Sequence, residues 1–226
     1  MGIIVSLSGV DGSGKTTIAR LVIKRLRNCG VNVKYHHELD FILLKAFLGI
    51  SKHFIGTGKS NDVRKKTVTM IDEGEYNWRY FYYLFILLHS LITYAYYKIG
   101  KGMIVYDRWI YELTTIFDHK HINNMTLRKL YLGFPRPDIM ILLTAPPKLA
   151  HFRKRDDPGH ATHDLDYYVT MQERMRKLAI QVNCDAMLST DRSKEVIVEE
   201  VFNLIMGKIS CEPTSLTPEE DSQRSQ

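Results

Sequence analysis

Short apolar runs alternate along this chain with longer stretches whose apolar positions recur at helical spacing. Residues 3–8 predict a buried strand, 9–14 a glycine-rich turn, and 17–29 a helix. In that helix Ile18, Leu21, Val22 and Leu26 form the inward set, opposite Arg20, Lys24, Arg25 and Arg27. Gly30 stops it, and 31–35 carries the β-rich residues of a second strand. Residues 41–50 predict a further helix, and 56–66 a basic loop with no repeat at either period. An aromatic helix over 73–97 ends at Gly100 and Gly102, before a short strand at 103–106 closed by Asp107 and Arg108. Downstream the pattern predicts a helix at 126–132, a continuous apolar strand at 138–144, and a basic helix at 148–155. It then predicts a helix at 167–182 with Val169, Met175 and Ile180 inward, a weak strand at 186–189, and a last helix at 194–209.

This alternation predicts a three-layer α/β/α sandwich with a mostly parallel five-stranded sheet, in one domain over residues 1–209. A polar segment around 160–163 suggests a moving lid spanning about 150–166, and 210–226 has the composition of a disordered tail. Residues 80–97 contain no Asp, Glu, Lys or Arg, but His89, Ser90 and Thr93 make them less oily than a membrane span. A buried or partly surface-facing helix is the expectation there, with membrane contact as the lesser alternative.

Hydrophobic residues at 45% and charged residues at 25% exclude wholesale disorder. The net charge of +6 favours anionic partners without choosing among them. No nucleic-acid recognition motif accompanies it, and the aromatics cluster rather than interleave with Lys and Arg. Cys29, Cys184 and Cys211 form neither a disulfide framework nor a close metal cluster, which reads as a reducing, cytoplasmic compartment. The apolar start runs into the glycine turn without a basic leader, so no secretory signal is expected. The adjacent His36, His37 and Glu38 lack the spacing of a metal site.

The chemistry begins at Gly9-Val10-Asp11-Gly12-Ser13-Gly14-Lys15-Thr16, which fits GxxxxGK[ST] between a predicted strand and a predicted helix. Phosphate oxygens need several backbone N–H donors converging at short range, and glycines remove the bulk that would block them. Lys15 is suited to the β- and γ-phosphates of ATP, and the Thr16 hydroxyl to Mg²⁺. A P-loop NTPase fold follows from this motif. Mg²⁺ also calls for a carboxylate at a neighbouring strand end, which Asp107 supplies, with Arg108 as a cation beside it. Arg153, Lys154 and Arg155 form a basic lid suited to stabilising a transferring phosphoryl group and excluding water. The choice between Arg153 and Arg155 stays open.

Over residues 1–207 the order of these motifs resembles the thymidylate kinase family of nucleoside monophosphate kinases. The resemblance rests on SGVDGSGKTT from Ser8 to Thr17, GMIVYDRW from Gly102 to Trp109, Pro137-Asp138, FRKR from Phe152 to Arg155, and STDRS from Ser189 to Ser193. It implies ATP- and Mg²⁺-dependent phosphorylation of a nucleotide by a homodimer. Gly9 to Thr17 would grip the donor, Asp191 and Arg192 would border adenine, and Asp107 with Arg108 would work at the acceptor phosphate. Gly12 stands where some members place an arginine, which resembles the subgroup that delivers its catalytic arginine from the lid. Glu38, Trp109 and His89 fall at the acceptor positions, and thymidylate is the acceptor the resemblance suggests.

Departures concentrate on that acceptor side. His37-Glu38-Leu39 replaces the family's Arg-Glu-Pro, Leu84-Phe85-Ile86-Leu87-Leu88 stands where the family's helix usually presents an arginine motif, and Glu112-Leu113-Thr114-Thr115 replaces a glycine- and glutamine-containing stretch. A nucleoside or another small alcohol is therefore an alternative acceptor. A membrane-associated regulatory ATPase is the alternative of a different class.

Overall fold

The structure is a computed structural model and describes residues 1–37, 76–119, 124–155 and 163–211. The expectations for 41–50, for 56–66, for the middle of the lid, for Glu38 and for most of the tail lie outside those residues.

Five strands form one parallel sheet in the order β2-β3-β1-β4-β5. They are β1 (Ile3–Ser8), β2 (Val33–His37), β3 (Met103–Asp107), β4 (Ile139–Thr144) and β5 (Ala186–Ser189). Alternate side chains enter opposite layers, as the strand period of two requires. Val5, Leu7, Val105, Ile141 and Leu143 pack on one face against α1 (Lys15–Asn28) and α7 (Lys194–Cys211). On the other, Ile4, Ile104, Tyr106, Met140 and Leu142 meet α2 (Tyr76–Ile99), α3 (Leu113–His119), α4 (Met125–Leu132) and α6 (Leu165–Gln181). The layered sandwich is thus the one the pattern predicts. All six residues of β4 are buried, which is why that strand reads as a continuous apolar run.

Three inward assignments are corrected. Leu21, Val169 and Ile180 are exposed, while Ala19, Ile23, Tyr168, Met171 and Leu178 take the buried positions. Both helices carry more apolar residues than one face can bury, so the period alone leaves the angular choice to the packing. Helix α7 also runs to Cys211, past the predicted stop. Helix α2 is two-faced: Tyr83, Ile86 and His89 are buried, whereas Leu84, Leu88, Leu91, Ile92, Tyr96 and Ile99 are exposed. No helix among the described residues is long and apolar enough to cross a membrane.

The connection after β1 leads toward β2, while that after β4 leads toward β5. The loops at the carboxyl ends of β1 and β4 therefore diverge, leaving the crevice in which open parallel sheets bind ligands.

Candidate functional site

The glycine turn leaves β1 at this crevice. Gly9 and Gly12 have φ of 147° and 80°. A Cβ on Gly9 would lie 2.2 Å from the Leu143 carbonyl oxygen, and one on Gly12 would lie 2.4 Å from that of Ala150. Ala150 belongs to α5 (Pro147–Arg155), so that basic helix rests directly on the turn. A side chain as large as arginine therefore has no room at position 12.

Lys15 is buried and donates to the carbonyl oxygens of Gly9 at 2.7 Å and Val10 at 2.8 Å. Burial pushes its amine down to about 8, with Arg108 adding to that push and Glu112, Asp11 and Asp107 opposing it. Next to it, the Thr16 hydroxyl donates to Asp107 Oδ2 at 2.5 Å, across 91 positions of sequence. Tyr35, from β2, donates to the same oxygen at 2.8 Å. Asp107 Oδ1 is buried with no hydrogen-bond partner. An orphaned carboxylate oxygen beside a threonine hydroxyl is the hard-oxygen donor set that suits Mg²⁺. Among the described residues no cluster of three or more His, Cys, Asp or Glu suggests a further metal site.

Arg108 follows in the left-handed region at φ 82°, with its N–H bonded to the Leu7 carbonyl oxygen at 3.0 Å. This kink turns the chain into the short 3₁₀ helix Ile110–Glu112, so that residues 108 and 112 both face the glycine turn. The Arg108 guanidinium bonds to Asp11 and lies 3.5 Å from Glu112. Burial alone would raise the Asp11 carboxyl, but Arg108 and Lys15 outweigh it and hold it at about 2. Glu112 is almost wholly buried, and burial pushes its carboxyl up against the pull of Arg108 and Lys15. In the sequence Glu112 stands out only as a departure from a family pattern, and Tyr35 only as a strand residue. A carboxylate four residues after Arg108 was the available signal for the former.

His89 and Trp109 line one narrow cleft with His36, Tyr106, Arg108 and Phe134. Its free volume is about 20 Å³, enough for a single water. Burial pushes the His89 imidazole toward its neutral form, and the Trp109 indole N–H is buried without a partner.

On the other side of the turn, Gly14, Thr17, Arg153, Thr190, Arg192 and Ser193 border a cavity of about 620 Å³, within the range of nucleotide-sized sites. Arg153 donates to the Gly12 carbonyl oxygen at 3.2 Å, to Thr190 Oγ1 at 3.2 Å and to the Thr190 carbonyl oxygen at 2.9 Å. It ties α5 to both walls. Arg155 instead lies over the Phe152 ring at 5.2 Å. Arg192 is held bidentately by Glu200 at 2.6 and 2.7 Å, and Asp191 borders a separate cleft with Pro146 and Gln172.

No family model matches the chain. A probable thymidylate kinase of Sulfolobus acidocaldarius is 25% identical over 207 residues, covering 89% of this chain and 95% of that protein. Probable thymidylate kinase 1 of Saccharolobus solfataricus is 22% identical over 209 residues, covering 91% and 98% respectively. The crystal structure of thymidylate kinase from Ehrlichia chaffeensis superposes with a TM-score of 0.57 at 15% identity, over 90% of this chain and 98% of that one; it speaks to the fold alone. The chain is thus similar to thymidylate kinases over nearly its whole length at 22–25% identity, and it shares the fold of one of them.

Proposed function

We propose that the protein transfers the γ-phosphoryl group of ATP, with Mg²⁺, to a nucleoside monophosphate, and that dTMP to dTDP is its reaction. The observation that carries this reading is the buried Lys15 beside the Thr16–Asp107 pair, flanked in sequence by Gly14 and Thr17, which line a nucleotide-sized cavity. Similarity to thymidylate kinases over nearly the whole chain supports the nucleotide acceptor.

Backbone amides of residues 9–16 would cradle the donor phosphates, and Lys15 would leave its two carbonyl partners to meet them. Thr16 and the unpartnered oxygen of Asp107 would hold Mg²⁺, which when bound supplies positive charge to the donor phosphates. Arg108 would present its guanidinium to the acceptor phosphate, drawing away from Asp11 and Glu112. Arg153 is assigned to clamping the donor loop through Thr190, and Arg155 to the transferring phosphoryl group. His89 and Trp109 would face the acceptor, in a cleft that has to widen before a base enters. Catalysis of this kind rests on positioning and charge, since the protein contributes little covalent chemistry. The exposed stripe of α2 is our candidate for the face that pairs two copies. We place the reaction in the cytoplasm, where the free Cys29 and Cys184 remain thiols.

A hydroxyl acceptor, on a nucleoside or another alcohol, is the second reading. Arg108 already faces two carboxylates, and His37 stands where many relatives carry an arginine, so positive charge for an acceptor phosphate is reduced. Incubation with Mg-ATP and a panel of deoxynucleoside monophosphates and nucleosides tests both, with ADP formation as the readout. Conversion of dTMP supports the first reading. Turnover only with nucleosides moves the assignment to the second, and ADP release indifferent to every acceptor overturns both in favour of a regulatory ATPase.

A further inference from the structure

In parallel register His37 pairs with Asp107 and Tyr35 pairs with Val105. Tyr35 and His37 are two apart, so they share a sheet face with Val105 and Asp107. From that position the phenol reaches along the strand, and its hydroxyl meets the carboxylate one pair further on. Asp107 Oδ2 then accepts two hydroxyl hydrogens, from Thr16 at 2.5 Å and from Tyr35 at 2.8 Å, while Oδ1 accepts none and is buried. The carboxylate is pinned through one oxygen and presents the other. Resting on the kinase reading above, we propose that Tyr35 is a positioning residue for the magnesium site: its hydroxyl holds Asp107 so that Oδ1 stays directed at the ion's coordination shell.

The physical argument concerns rotation. A carboxylate held only by Thr16 can turn about its Cβ–Cγ bond and exchange its two oxygens. A second donor on the same oxygen, carried by a separate strand, opposes that turn. Thr16 cannot provide this restraint alone, because its own oxygen is needed as a metal ligand while its hydrogen points at Asp107. Donors of this outer kind orient ligating carboxylates, and their removal typically lowers metal affinity by about 10- to 100-fold at tight sites. Mg²⁺ keeps much of its water and takes part of its hold from the phosphates, so a smaller effect of roughly 5- to 10-fold is expected here.

The test uses the full chain and a non-hydrolysable ATP analogue, titrated calorimetrically in EDTA and at increasing Mg²⁺. Tyr35→Phe removes the hydroxyl and keeps the ring. Its metal-free affinity for the analogue should stay within about twofold of the parent, its Mg²⁺ half-saturation should rise about 5- to 10-fold, and excess Mg²⁺ should restore parental affinity. Tyr35→Leu should shift the half-saturation by the same factor if the hydroxyl alone is responsible. An unchanged half-saturation in Tyr35→Phe overturns the inference. So does a loss of metal-free affinity that accounts for the whole effect, because that is support of the strand rather than of the carboxylate. Failure of the parent itself to bind the analogue removes the kinase reading, and this inference with it.

Discussion

Gly12 and Gly14 provide a controlled comparison. Both have positive φ, 80° and 84°, so an alanine at either is forced into the left-handed region. That conformation costs about 1–2 kcal/mol for a residue with a Cβ. Their surroundings differ. A Cβ on Gly14 meets nothing within 4 Å, whereas one on Gly12 would lie 2.4 Å from the Ala150 carbonyl oxygen and 3.0 Å from its Cα. The obstruction is helix backbone, so relief requires α5 to lift away from the turn, at an additional cost typical of overpacking, about 1–3 kcal/mol. Gly14→Ala should therefore lose about 1–2 kcal/mol and Gly12→Ala about 2–5 kcal/mol. Urea denaturation without nucleotide measures both, read at equal m-values. Because Arg153 reaches the Gly12 carbonyl oxygen, the lifted helix should also loosen the donor wall. Two alanine variants that agree within about 0.5 kcal/mol would refute the claim that α5 bears on the turn.

Lys15→Ala should slow phosphoryl transfer at least about 100-fold in single turnover, and activity within threefold of the parent would reject its role. Lys15 in the nucleotide-free fold titrates near 8 against an ordinary 10.5, so the unfolded chain binds more protons between those values. Stability should rise with pH across that window by up to ~3 kcal/mol, and Lys15→Met should flatten the rise in pH-dependent denaturation. Arg153→Ala should raise the KM for ATP more than it lowers kcat, and Arg155→Ala the reverse; steady-state kinetics showing both unaffected, singly and together, would remove the lid from the mechanism. Leu88→Glu, on the exposed stripe of α2, should yield a monomer by sedimentation if that stripe pairs two copies.

Which residues could be read in advance follows from the range of the forces involved. Strands β1 and β5 fall where the pattern places them, and β4 begins one residue later, because a buried parallel strand needs an apolar run bounded by turn residues. The glycine turn was legible for a similar reason: its glycines, lysine and threonine act within eight consecutive residues. The inward faces of α1 and α6 were less so, since Leu21, Val169 and Ile180 satisfy the helical period as well as their buried neighbours do.

Local chemistry thus determined the strands, the phosphate turn and the existence of a strand-end carboxylate, each within the reach of a few peptide units. Tertiary structure decided which side chains share that carboxylate. Thr16 comes to it from 91 positions away and Tyr35 from 72, and the meeting depends on sheet register, which one-dimensional spacing does not encode. The same holds for Glu112 beneath Arg108 and for the different placements of Arg153 and Arg155. Burial, the direction of the left-handed kink and the docking of α5 on the turn set those placements, and all three arise only when distant segments pack.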